Sequence, residues 1–339
     1  MVQRAMLLPL FLAAVVCVFC SCGKRSGSPK PQVVLYCSVD QELAKQIVAE
    51  FEKRTHIKVQ TRYDSEAGKT VGLVQKIIAE SPAPLADVFW SGEVFHTIRV
   101  SRLGLLAPYV SDDTAGWPAG FADPNGLWYG FALRARVIAY NTKRVSADQA
   151  PKTLEDVLDA QWQGRVTMAV PEFGTTGGDI ASWFVHYGFD RAHEILLALK
   201  ANKIRLVDGN STAVRMVATG QADICFTDTD DVYAAQRNGW PIAMNYLDQG
   251  GDGSLVIPNT AALIKNAPHP EQARKLMEFL LSRDVERMLA QSYSHNSPIR
   301  PDLAAEFESW AITQPLKINY ENVADTLETA IRAAGDVLR

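Results

Sequence analysis

One local pattern recurs along the chain: a short apolar, β-branched run, a polar loop at its end, and then apolar residues at helical spacing. Residues 33–36 run into Cys37-Ser38-Val39-Asp40, after which Leu43, Ile47, Val48 and Phe51 recur at helical intervals. Residues 57–62 lead through Tyr63-Asp64-Ser65-Glu66 toward a helix over 69–80, and residues 86–90 (ADVFW) end in Ser91-Gly92-Glu93. A repeated strand, loop and helix predicts an α/β fold. Open α/β sheets bind ligands outside the carboxyl ends of their strands, which makes Ser38, Asp40, Ser91 and Glu93 candidate binding residues.

The second half continues the pattern after a long extended segment, 128–141, which can cross between two lobes and carries Arg134 and Arg136. Residues 164–171 read as a strand whose exit, Glu172 to Asp179, leads to a helix over 180–187. Thr175, Thr176 and Gly177 in that exit offer hydroxyls and backbone N–H groups suited to an oxyanion, although a plain turn with a cap accounts for them equally well. A strand over 204–207 reaches Asp208-Gly209-Asn210-Ser211, which opens a helix and adds Asn210 to the candidates. The run ADICF then empties into Thr227-Asp228-Thr229-Asp230-Asp231 ahead of a helix ending at Gly239-Trp240-Pro241. Capping explains one or two of these carboxylates. Crowded on one turn they repel each other, so a ligand, a metal or arginines are expected beside them. Residues 255–264 are again extended and read as the return crossing.

At the N-terminus, Arg4 precedes an apolar segment, 5–20, too short to span a bilayer comfortably, followed by Ser21-Cys22-Gly23. This reads as a signal peptide. The Ser-Cys-Gly sequence resembles the bacterial lipobox, with Phe19 in place of the usual leucine, so Cys22 is the expected lipidation site. A Lys-, Ser-, Gly- and Pro-rich stretch after it reads as a flexible tether. The remaining length suits two lobes. A formal net charge of -4 gives no basic excess to suggest nucleic acid. Beyond the export segment only Cys37 and Cys225 remain, one near the end of a strand in each lobe; a bridge between them would staple the cleft, so free thiols are expected.

The succession LYCSVD, ADVFWSGE, WYGFALRARVIAYN, GRVTMAVPEFGTTGG, ADICFTDTDD and VIPNTAALIKNAPHPEQARKLMEFLLS resembles the type II periplasmic substrate-binding proteins of ABC importers, and within them the ferric-iron-binding branch. The resemblance covers essentially the whole mature chain. It implies an α/β, two-lobed periplasmic-binding-protein fold of type II with a ligand cleft between lobes that close over the solute. The expected organisation is a lipoprotein signal peptide over 1–22, a tether over 23–32, one lobe from 33–133 and 259–295, and a second from 134–258 and 296–339. It further implies a monomer outside the cell membrane, in the periplasm or on the envelope's outer face, held by its N-terminal lipid and served by permease and ATPase subunits.

Iron-binding relatives hold their metal largely with adjacent tyrosines after the ADICF-type strand, where this chain has Asp228-Thr229-Asp230. Glu93 matches the family's carboxylate ligand, and Arg134 or Arg136 with Thr175-Thr176-Gly177 fall where relatives hold a synergistic anion. The implied metal set is Asp40, Glu93, Asp228 and Asp230, with Ser38, Ser91, Asn210, Thr229 and Asp231 completing the expected ligand shell. The expectation is therefore a binding protein with no required cofactor, whose cargo is ferric iron or another cation, with or without an anion. The alternative is a small organic anion such as a phosphonate. An enzyme on this fold is the third reading: no GxSxG, HExxH or P-loop pattern is present and the histidines lack ligand spacing, although His96 and His295 are placed to approach the cleft.

Overall fold

The computed structural model describes residues 31–64, 68 and 70–339. The expected signal peptide, Cys22, most of the tether, and Ser65, Glu66 and Lys69 of the second loop region lie outside the described residues. Among the described residues no helix is long and apolar enough to cross a membrane.

In chain order the elements are β1 (Gln32–Cys37), α1 (Gln41–Thr55), β2 (Lys58–Tyr63), α2 (Val71–Ala79), β3 (Val88–Ser91), α3 (Phe95–Arg102), β4 (Leu106–Ala107) and β5 (Tyr129–Asn141). They continue with α4 (Leu154–Leu158), β6 (Val166–Ala169), α5 (Thr175–Tyr187), α6 (Phe189–Ala201), β7 (Arg205–Val207), α7 (Asn210–Ala218), β8 (Ile224–Asp228), α8 (Thr229–Arg237), β9 (Ile242–Tyr246) and β10 (Val256–Ile264). Helices α9 (Pro270–Leu280), α10 (Arg283–Gln291), α11 (Pro301–Glu306) and α12 (Tyr320–Leu338) complete the chain.

The strands join in the order β2-β1-β3-β10-β5-β8-β6-β7, with β4 on β10 and β9 on β5. Strands β1, β2 and β3 are parallel, as are β6, β7 and β8; β5 and β10 run antiparallel to their neighbours. β5 serves both groups, because its first half pairs with β10 through Arg134 and Ala135, and its second half pairs with β8 from Arg136, opposite Asp228. Every residue of β10 is buried, as a strand covered on both faces requires. Val33, Leu35, Ile47, Phe51, Val88, Trp90 and Phe131 fill a core on one face of the β1–β3 group. A second, larger cluster joins Phe89, Phe95 and Ile98 to Ile138, Met168, Ile180 and Leu196, and α12 packs along α5 with contacts to α3 and α6.

Two boundaries differ from the sequence reading. Helix α5 begins at Thr175 rather than at residue 180, so the Gly-Thr-Thr-Gly-Gly run forms its first turn instead of a loop. Gly174 supplies the positive φ of +66° that turns the chain into the helix. Packing of the next two glycines then outweighs their poor helix propensity: a Cβ at Gly177 would stand 2.4 Å from the Pro171 carbonyl oxygen, and one at Gly178 would stand 2.0 Å from Phe95 Cε2. Likewise β8 runs on to Asp228, held by its pairing with Arg136, and Thr229-Asp230-Asp231 form the first turn of α8. The acidic stretch is a strand end plus a helix start, not an open loop.

Candidate functional site

The carboxyl ends of β1, β3, β6, β7 and β8 border one cavity of about 110 Å³. A single water needs only about 10–15 Å³ on this measure, so the space suits one small solute. Ser38, Asp40, Glu93, Arg134 and Thr175 line it, as do Asn210, Asp228, Asp230 and Asp231. Five other candidates stand behind the lining. Ser91 is buried with its hydroxyl 3.4 Å from Glu93 Oε1, and Thr229 Oγ1 accepts from the Ala135 N–H at 3.3 Å. Thr176 reaches Asn210, and Gly177 faces Pro171 and Ile331 rather than the cavity. Arg136 lies under the floor.

That floor is a buried polar network. Arg136 donates through Nε to Asp179 (3.0 Å) and through Nη1 to Asp228 (2.8 Å) and Thr175 Oγ1 (3.2 Å). Thr175 donates its hydroxyl to Asp228 at 2.6 Å, and the Asn210 amide donates to Thr175 (3.2 Å) and to Asp228 (3.1 Å). Above it, Arg134 donates to Asp230 at 3.0 Å and places Nε 3.5 Å from Asp228. Burial alone would push the Asp228 carboxyl up, but the guanidinium groups of Arg136 and Arg134 and the Thr175 hydroxyl outweigh it and hold the carboxyl below its usual range. Asp179, paired with Arg136, goes the other way, raised by burial. The expected counter-charge for the acidic stretch is thus supplied within the chain by two arginines.

The other candidate carboxylates are also engaged. Glu93 is 1% exposed and serves the start of α3, accepting from the Phe95 N–H (2.7 Å) and the His96 N–H (3.1 Å), with His96 Nδ1 at 3.2 Å from its other oxygen. Asp40 caps α1, accepting from the N–H groups of Glu42 (2.8 Å) and Leu43 (3.3 Å), and takes the Tyr293 hydroxyl at 2.7 Å. Asp231 accepts the Thr227 hydroxyl at 3.0 Å. Oxygens of Asp228, Asp230 and Asp231 lie within 4.8 Å of one another, a spacing that could hold a cation, although the Arg134 guanidinium already contacts two of them.

Beside Asp228 the cavity meets two helix starts. α5 follows Gly174 and α7 follows Gly209, and no side chain caps either one. Glycine at both N-caps leaves the first-turn N–H groups and the positive dipole ends facing the cavity. Thr70, Asp208, Gly209 and Tyr293 also line it. The rule that placed Asn210 at a strand exit would have found Asp208 and Gly209. Nothing local flags Tyr293, which comes after the last strand. Tyr293 sits at the rim under Arg237, whose guanidinium carbon is 4.2 Å from the ring centroid. His295 stacks on Trp310 at 3.8 Å, outside the lining, and His96 belongs to Glu93. Cys37 and Cys225 are buried free thiols.

Two strand groups sharing crossing strands, with a polar cavity at their carboxyl ends, define a two-lobed solute-binding protein. The profile of the bacterial extracellular solute-binding protein family matches residues 46–315, and the chain belongs to that family. It is a type II periplasmic binding protein that falls with the ferric-iron-binding branch, among the substrate-binding components of ABC importers. It is 27% identical to iron uptake protein A1 of Synechocystis over 289 residues, covering 80% of this chain and 79% of the relative. It is 25% identical to a putative 2-aminoethylphosphonate-binding periplasmic protein of Salmonella typhimurium, covering 83% of each. Iron-bound HitA of Pseudomonas aeruginosa superposes with a TM-score of 0.78 at 25% identity, over 90% of this chain and 99% of that one.

Proposed function

We propose that the protein captures a small oxyanion-bearing solute for its importer, with the oxyanion on the first turns of α5 and α7 and its remainder against Arg134 and the first turn of α8. The observation that carries this is the pair of uncapped, glycine-started helices on one cavity, beside the carboxylates of Glu93, Asp228 and Asp230, which already have partners in the chain. A phosphonate or carboxylate fits such a seat. A cation with a bound anion is the second reading, favoured by the grouping of Asp228, Asp230 and Asp231 and by the iron-binding relatives. Metal analysis of the purified protein, then calorimetric titration with small oxyanions, ferric citrate, divalent metals and polyamines, separates them. Saturable oxyanion uptake in a metal-free protein is the expected result. Uptake of ferric or divalent ions alone overturns the oxyanion seat.

The same reading makes the chain a monomeric binder rather than an enzyme, delivering to permease and ATPase subunits. It is anchored through Cys22 on the periplasmic or outer face, with lobes at 33–133 plus 259–295 and 134–258 plus 296–339. Mass analysis of the N-terminal peptide from native membranes tests the lipid; an unmodified Cys22 removes the anchor.

A further inference from the structure

Between the cavity and the buried face of α12 lies a contact that the binding chemistry does not use. Phe95 opens α3, two residues after Glu93, and is 1% exposed; its N–H donates to Glu93. Its ring bears on α5 at Gly178, where a built Cβ would fall 2.0 Å from Cε2, 2.4 Å from Cδ2 and 2.8 Å from Cζ. Such separations do not occur between real atoms, so the ring occupies the volume that any side chain at residue 178 would need. α3 follows a strand of the β1–β3 group and α5 follows a strand of the β6–β8 group, so the contact joins the two groups immediately behind the cavity. Tyr320 at the start of α12 also packs on Phe95, at 6.2 Å between ring centroids.

We infer that Phe95 and Gly178 form a positioning joint: a ring seated on a bare stretch of helix sets how closely the start of α3 can approach the start of α5, and thereby the distance between Glu93 and Thr175 across the cavity. Helix propensity alone would favour alanine at 178, so the glycine is explained by the ring and not by the helix. The backbone φ at Gly178 is not in the left-handed region, so no conformational demand explains it either. The joint acts through the helices it spaces. Neither residue is assigned a contact with the solute.

The test uses size exchange across the joint. Gly178→Ala should lower affinity at least tenfold for whichever of 2-aminoethylphosphonate, inorganic phosphate and ferric citrate the parent protein binds. It should also raise the radius of gyration in small-angle scattering with and without those probes, as the two groups are wedged apart. Adding Phe95→Leu, which removes Cε2 and Cζ and leaves δ carbons that can rotate away from the new methyl group, should return both readouts toward the parent. The scattering arm needs no ligand, so a wrong assignment of the solute does not decide the joint. If Gly178→Ala fails to fold, the Gly178→Ala/Phe95→Leu pair still decides, because the joint requires it to fold with the parent's radius of gyration. Parent affinity and dimensions in Gly178→Ala, or a loss that Phe95→Leu does not recover, overturns the inference.

Discussion

At the scale of single residues the molecule is defined by Asp228, a 2% exposed carboxylate held by two arginines, a hydroxyl and an amide. Removing one member of a buried charge network leaves the others unpaired, which typically costs about 3–5 kcal/mol. Asp228→Asn should therefore move the urea midpoint at pH 7 sharply down with little change in slope. The pH dependence has a definite sign. The native carboxyl sits below its unfolded value of about 3.9, so its contribution is complete above that value and fades as pH falls through the native one. The gap between parent and Asp228→Asn should hold from pH 7 to about pH 5 and narrow below pH 4. A gap that widens in acid would reverse the assignment. Asp230 was legible as a cavity residue from the sequence; that its expected counter-charge would be Arg134 was not, because 96 residues separate them.

Among the elements, α1 shows how a candidate ligand becomes a structural cap. Asp40 follows the end of β1 and accepts from two N–H groups of the first turn, as an N-cap should. Asp40→Ala should cost about 1 kcal/mol in denaturant unfolding, whereas Asp40→Asn, which caps equally well, should stay close to the parent. A loss of cation binding in Asp40→Asn without a loss of stability would restore it as a ligand. The strand, loop and helix units of the chain were readable because apolar runs and caps are local signals, and β1, β3, β5, β8 and β10 stand within a few residues of their expected places. The start of α5 was not readable: two glycines argue against helix locally, and what overrides them, Phe95, Pro171 and Ile331, arrives from elsewhere in the fold. Tyr293 was invisible for the same reason, since only the packing of the segment after α10 brings it over Asp40.

For the molecule as a whole, sheet order separates the two thiols. Cys37 ends β1 and Cys225 lies in β8, four strand steps away through β3, β10 and β5, or roughly 19 Å at strand spacing. A disulfide needs Cα atoms within about 7 Å. Both are fully buried, and burial pushes Cys37 up to about 12 and Cys225 higher still, so neither forms appreciable thiolate near neutrality. Peptide mapping after alkylation at pH 8 should find both unmodified in native protein and both labelled in denaturant. A Cys37–Cys225 bridge in a non-reducing map would contradict the strand order itself. That order also governs when the molecule can assemble. β10, near the end of the strand sequence, lies between β3 and β5, so the N-terminal strands face an unfilled gap until residues 256–264 exist. Chains ending before residue 256 carry two unpaired edges where β10 belongs, and they should aggregate or be degraded instead of folding as half a protein. Synthesis is thereby expected to be tied to completion: no stable fragment should accumulate while the chain is still being made, and the binding cavity, whose lining runs to Asn296, is complete only when nearly all of the molecule is.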